Sequence, residues 1–327
     1  MRSKRGPVLA IAFVAAALAV GGVWWSIESQ PCDGAEPCPP RVPPTNTSPA
    51  DGGAVAPSPG GPDPVITAAG DIADPVPSAA TQATGELIAA IDPTIALTLG
   101  DNQYPGGELS DFLTGYDASW GSFLAKTRPA IGNHEYESSS TAEGYFEYFG
   151  DRSPGNYYSF DVGTWHLISL DSNCDRVGGC TPGAPQHEWL RADLAANPAV
   201  CTLAFWHHPR WSSGTEHGNS TQVAPLMELL YEAGADVVLS GHEHNYERYA
   251  PQDPEGALDT QQGIVQFVVG TGGHSMYPFG EPDENSVARS STTFGVLQMT
   301  LHPEGYDFSF EPVLDGTYTD EGSGRCH

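Results

Sequence analysis

VVLSGHEHNYER, residues 237–248, runs four strand-like residues, Val237 to Ser240, into a glycine and then sets two histidines on either side of one glutamate. In an extended segment residues i and i+2 point the same way, so His242 and His244 are expected to face one spot at the end of a buried strand. Paired imidazoles at a strand end suit a metal ion. A surface loop with two incidental histidines has the same local sequence. The choice depends on how the other strands of the chain end.

They end alike. Apolar runs at 65–71 (VITAAGD), 94–101 (TIALTLGD), 128–135 (RPAIGNHE), 201–208 (CTLAFWHH) and 236–244 (DVVLSGHEH) finish in Asp71, Asp101, Asn133 with His134, His207 with His208, and His242 with His244. A further run, WHLISLDS, covers 165–172, and helical patterns over 81–91, 111–124, 185–196 and 221–233 lie between several of these strands. Strands that alternate with helices and read as continuous apolar stretches predict an α/β layered fold whose sheets are covered on both faces. Ligands of such sheets gather beyond the carboxyl ends of the strands, where these polar residues stand. The later runs at 263–273, 294–302 and 306–313 have short connections and read as antiparallel.

The chain ahead of Val65 has a different character. Arg2, Lys4 and Arg5 precede nineteen uncharged residues from Pro7 to Trp25. This pattern predicts a signal peptide or an N-terminal membrane anchor over residues 1–25, with the bulk of the chain exported. Residues 26–64 hold eleven prolines among Gly, Ser and Thr and are expected to be an extended linker with no core. The catalytic domain is expected over 65–327. The formal charge of −28 disfavours nucleic acid or anionic lipid as a partner, so membrane contact is expected only through an uncleaved N-terminal segment. Six cysteines fit an exported protein. Local pairs 32–38 and 174–180 would leave Cys201 with Cys326, one of about fifteen pairings the sequence allows.

Asp71, Asp101, Tyr104, Asn133, His207, His242 and His244 offer carboxylates, a phenol, an amide oxygen and imidazoles. That is too many donors for one closed zinc site and too hard a set for Cu(I). It suits two cations about 3.5–4 Å apart, as in two-metal hydrolases, with a carboxylate such as Asp101 bridging them. Taken singly, a GD or GNH after a strand is an ordinary turn.

The blocks GDIA (70–73), GDNQY (100–104), GNHE (132–135), AFWHHP (204–209) and GHEH (241–244) resemble, in order, those of the calcineurin-like metallophosphoesterases. Tyr104, in a GD-x-x-Y pattern, is similar to the purple acid phosphatase branch. The resemblance implies a four-layer αββα sandwich of two mixed β-sheets flanked by helices, with the metal site at the C-terminal strand ends. It implies that Asp71, Tyr104 and His244 hold one metal, Fe(III), and that Asn133, His207 and His242 hold a divalent Fe, Zn or Mn, bridged by Asp101. It gives His134 a contact with the substrate phosphate and His217 a place near the leaving group. The implied function is an extracytoplasmic phosphatase that hydrolyses phosphate monoesters through a metal-bound hydroxide, with a small phosphate ester as partner. A phosphodiesterase or nucleotidase shares this metal centre, and a catalytically silent surface-binding module shares the fold. The natural substrate and the oligomeric state are not legible. The sequence reads His166 and His187 as structural, His208 as lying behind the ligands and His274 as a candidate for the pocket rim.

Overall fold

The computed structural model describes residues 62–327; the proposed signal or anchor, almost all of the proline-rich linker, and Cys32 and Cys38 lie outside those residues. Among the described residues thirteen strands form two mixed sheets. In the first, β1 (Val65–Ala69), β2 (Ile95–Leu99) and β3 (Thr127–Ala130) are parallel, and β11 (Gly295–His302), β12 (Gly305–Pro312) and β13 (Glu321–Arg325) extend the sheet antiparallel from β1. The second runs in the order β10 (Ser286–Ser290), β8 (Tyr246–Tyr249), β9 (Val265–Val269), β7 (Val237–Ser240), β6 (Cys201–Phe205), β5 (Trp165–Ser169), β4 (Tyr158–Val162). Strands β5, β6, β7 and β9 are mutually parallel.

The period-two rule decides the layers. Leu203 and Phe205 of β6, with Val237 and Leu239 of β7, enter a core shared with Ile66, Leu97, Leu99 and Leu297 of the first sheet. Their alternates Ala204 and Val238 enter a second core with Leu190 and with Leu226, Met227 and Leu230, from helices Pro185–Ala196 and Ala224–Glu232. Every residue of β2, β5, β6 and β7 is buried, as a strand covered on both faces requires. Each fully buried Leu or Val is worth about 1.5–3 kcal/mol of transfer free energy, which makes this alternation a strong constraint on register.

The helix read over 81–91 spans Ala79–Ile91, capped by Ser78, whose Oγ accepts the Thr81 N–H at 3.0 Å. The helix read over 111–124 is a series of short turns instead, including a π-helical stretch at Phe112–Tyr116. Gly115 explains part of this, because a Cβ there would collide with the Asp74 carbonyl and the Gln103 side chain, so the backbone lies against the Asp101 loop. Strand β9, grouped by its short connections with the antiparallel runs, is parallel to β7 and antiparallel only to β8. Strands β8, β10 and β13 lack an apolar period that marks them in sequence, whereas helix Glu143–Phe149 and strand β4, in which Tyr158, Phe160 and Val162 alternate with Ser159 and Asp161, are elements the sequence reading does not include. No helix of the described residues is long and apolar enough to cross a membrane.

Candidate metal centre

The loops leaving β1, β2 and β3 meet the loops leaving β6, β7 and β9 at one end of the sandwich. Backbone bonds lace them together: Asp71 N–H donates to Gly100 O at 3.1 Å, Gly241 N–H to His207 O at 2.9 Å, and Gly272 N–H to Gly70 O at 2.9 Å. Asp71, Asp101 and His242 have φ of 60°, 46° and 70°. The left-handed region is uncommon for residues other than glycine and costs of order 1 kcal/mol or more, and such strain clusters at functional sites. Gly100, at φ 83°, has no such freedom to spare, because a Cβ would strike the His207 ring at 2.6 Å.

All seven candidate ligands converge, in two groups. Tyr104 Oη lies 3.1 Å from Asp71 Oδ1, from Asp101 Oδ2 and from His244 Nε2. His207 Nε2 lies 3.1 Å from Asn133 Oδ1, from Asp101 Oδ2 and from His242 Nδ1. Asp101 Oδ2 thus belongs to both groups. The extended geometry expected for 242–244 is not what places the histidines: β7 ends at Ser240, the chain turns at His242, and His242 and His244 go to different groups.

The far atoms of four of these side chains are held by the protein. Asp71 Oδ2 accepts the His242 N–H and Asp101 Oδ1 accepts the His134 N–H, both at 2.9 Å. His207 Nδ1 is 2.8 Å from Leu99 O; a carbonyl only accepts, so that nitrogen carries a proton, and Nε2 is the atom left for a cation to take in place of its proton. His244 Nδ1 is 2.7 Å from Ser275 Oγ.

Burial acts on every group here. It pushes the Asp101 carboxyl up, but the charge and hydrogen bond of His207 outweigh it and hold Asp101 well below the usual carboxylate range. Burial pulls His207 down, and Asp101 more than reverses this, to about 9. His242 is lowered by burial and by His207 and His208. Burial and the two aspartates push Tyr104 well above a free phenol. Asp71 and Asp101 are almost wholly buried, and among the described residues only histidines pair with them. Buried carboxylates without lysine or arginine call for a cation. Donor atoms 3.1 Å apart match neighbouring vertices around an ion with bonds of about 2.1 Å. The donor set fits two hard cations, with Asp71, Tyr104 and His244 at one and Asn133, His207 and His242 at the other.

The family model for calcineurin-like phosphoesterase matches residues 61–246.

The chain belongs to the calcineurin-like phosphoesterase family.

Its sequence relatives include purple acid phosphatases 15 and 18 of Arabidopsis thaliana. The first is 33% identical over 175 residues, 47% of this chain and 32% of the relative; the second is 32% identical over 201 residues, 54% and 44%. The matched region thus spans less than half the length of either plant protein. Among solved structures, the purple acid phosphatase PPD1 from yellow lupin seeds superposes with a TM-score of 0.66 at 19% identity, over 82% of this chain and 55% of that one. GAP50, the anchor in the inner membrane complex of Plasmodium, gives 0.64 at 18%, over 80% and 89%. These structures share the fold, two mixed sheets flanked by helices.

The calcineurin-like phosphoesterase blocks contain the candidate ligands but not all of what surrounds them. His134 sits beside the centre, its Nδ1 2.6 Å from Pro105 O and its Nε2 3.9 Å from Asp101 Oδ2. His217 stacks on His242 with ring centroids 4.0 Å apart. His208 lies behind, 2.8 Å from Ser172 Oγ, and burial and His207 lower it to about 3. His274 reaches the centre by stacking on Tyr104 at 3.7 Å and 8°, held by Asp74 at 2.9 Å. Tyr277 stacks on His244 at 3.9 Å. His166 is a clasp between Asp161 and Asp193, and Tyr246 and Arg248 turn away to Asp320. Sequence reasoning passed over Tyr277, Asp74 and two glutamates inside the quoted blocks, Glu135 and Glu243. Glu135 is fully buried and accepts the N–H groups of Asn102, Gln103 and Gly132, tying the Asp101 loop to the Asn133 loop. A glutamate within a metal motif was the available signal.

Proposed function

We propose that this chain is an exported phosphatase of purple acid phosphatase type, hydrolysing small phosphate monoesters at a dinuclear centre held by Asp71, Asp101, Tyr104, Asn133, His207, His242 and His244. The observation that carries this is Tyr104 Oη at 3.1 Å from Asp71, Asp101 and His244, because a buried phenol facing two carboxylates suits a trivalent ion such as Fe(III). The second position, with two imidazoles and an amide oxygen, suits divalent Fe, Zn or Mn. When bound, the two cations neutralise phosphoryl charge and acidify a water near neutral pH.

The chain's own residues do the rest. The Leu99 carbonyl and Ser275 orient His207 and His244. Pro105 O accepts from His134 Nδ1, which turns Nε2 to the Asp101 side; burial lowers the pKa of this imidazole, Asp101 and the Pro105 carbonyl raise it more, and a protonated Nε2 donates to a phosphoryl oxygen placed there. His217 is exposed above His242, a position from which an imidazolium can protonate a departing oxygen. The disulfides Cys174–Cys180 and Cys201–Cys326 support export, with residues 1–25 as signal or anchor, 26–64 as linker and 65–327 as the catalytic domain. The test is metal analysis of protein purified without added metal, combined with turnover of p-nitrophenyl phosphate and of its bis-ester. Two metals per chain and preference for the monoester are expected. Metal-free protein with no hydrolysis after reconstitution would sink the proposal; preference for the bis-ester would make it a phosphodiesterase.

A further inference from the structure

We infer that Glu243, the residue between the two histidines of GHEH, is a positioning residue that holds the His217 loop over the metal centre; this rests on the phosphatase reading above. The Glu243 side chain is fully buried. Its Oε1 accepts the backbone N–H of His217 at 2.7 Å and of Gly218 at 2.6 Å. Its Oε2 accepts from no group among the described residues and lies against Gly214, where a Cβ would collide with the carboxyl. The loop therefore closes around this one side chain.

The ring of His217 has no comparable support. It is exposed, and among the described residues its nitrogens make no hydrogen bond; its ring contacts are the stack on His242 at 4.0 Å and an edge contact with Tyr277 at 5.7 Å. Its place is set by its backbone, and the end of that backbone is set by Glu243. The start of the loop is tied to the same stretch, because Glu247 accepts the Ser213 N–H at 2.8 Å and Ser213 Oγ at 2.5 Å. Thr215 N–H, in the middle, donates to Pro278 O at 3.2 Å. Charge-assisted bonds from a buried carboxylate to two adjacent amides are among the stronger local restraints available. Because Glu243 is flanked by two candidate ligands, whatever orders His242 and His244 also orders the acid that serves the leaving group. A displacement of about 1 Å of such a group can cost on the order of a hundredfold in rate.

Three variants, Glu243→Ala, Glu243→Gln and His217→Ala, and the double variant Glu243→Ala/His217→Ala are compared with the full chain. Each is assayed for metal content, for hydrolysis of alkyl and p-nitrophenyl phosphates, and for hydrogen exchange at residues 212–218. E243A is expected to keep two metals and to lose roughly tenfold or more on alkyl phosphates, with about threefold or less on p-nitrophenyl phosphate, whose leaving group needs no proton. The amides of His217 and Gly218 should lose protection in E243A and keep it in E243Q, which retains an acceptor and should restore the leaving-group profile. The double variant should be no worse than H217A alone, since both changes remove one function. Additive losses, equal losses on both substrates, or unchanged exchange in E243A would overturn the inference. A wild-type chain that loads metal but hydrolyses no phosphoester sinks the phosphatase reading instead, and the exchange comparison then still decides the anchoring.

Discussion

Asp101 carries two burdens through one carboxyl group. Its Oδ2 faces both donor groups, while its Oδ1 holds the His134 N–H at 2.9 Å. Asp101→Asn leaves the size unchanged and removes the charge that both cations need, so it should release at least one metal and lower kcat by about a hundredfold or more. Full metal content with wild-type turnover would remove the bridging role. Tyr104→Phe deletes one oxygen and keeps the ring, which stays stacked on His274 at 3.7 Å. In iron-loaded protein the violet or pink colour of a phenolate–Fe(III) pair should vanish while Asp71, Asp101 and His244 retain iron, with activity falling less than colour. Colour that survives this substitution would place the phenol outside the coordination sphere.

Whole elements are aligned by charged clasps. His166 of β5 reaches Asp161 of β4 and Asp193 of helix Pro185–Ala196, each at 2.8 Å, and its side chain is only 3% exposed. Burial lowers its pKa, and the bonds and charges of the two aspartates outweigh burial, so the net shift is upward. A histidine raised in the folded state stabilises fully below its unfolded value of about 6.5, and that stability is lost as pH rises through the higher folded value. Denaturant midpoints measured from pH 6 to pH 9 should therefore fall in the wild type and fall less in His166→Gln. Equal slopes for the two proteins would mean that the clasp carries no net charge. The continuous apolar runs of β6 and β7 made the strands legible, since a strand covered on both faces is apolar throughout. The run of turns after Leu109 was not legible, because Gly115 is demanded by the neighbouring Asp74 and Gln103, not by a local helical signal.

Across the molecule, Cys201 at the start of β6 joins Cys326 just after β13, so one covalent bond links the two sheets. The bond spans a separation of 125 residues. Closing so long a loop removes denatured-state entropy worth about 4–5 kcal/mol in the chain-entropy model. Cys201→Ser/Cys326→Ser should lower the thermal midpoint by roughly 10 °C. Metal content and kcat should hold, because His207, the candidate ligand after β6, lies beyond the opposite end of that strand from Cys201, and β13 carries no candidate ligand. A midpoint within about 2 °C of wild type would show that packing between the sheets suffices.

Sequence alone determined which strands exist at the centre of each sheet and that polar side chains stand at their ends, because apolar runs and polar strand termini are local properties; the family resemblance then singled out seven of those side chains, His207 over His208 among them. The pairs Cys174–Cys180 and Cys201–Cys326 belong to one of the arrangements the sequence leaves open, and the structure adopts both. Tertiary structure decided what is not local. Strands β8, β10 and β13 are short and carry no clear period, so only their partners define them. The split of His242 and His244 between two donor groups follows from a left-handed turn at His242 that its neighbours impose. The support around the centre, with His274 on Tyr104, Tyr277 on His244, and Glu243 under the His217 loop, joins segments from 26 to 170 residues apart. Contacts at such separations are selected by the packed fold, and no window of sequence contains both partners.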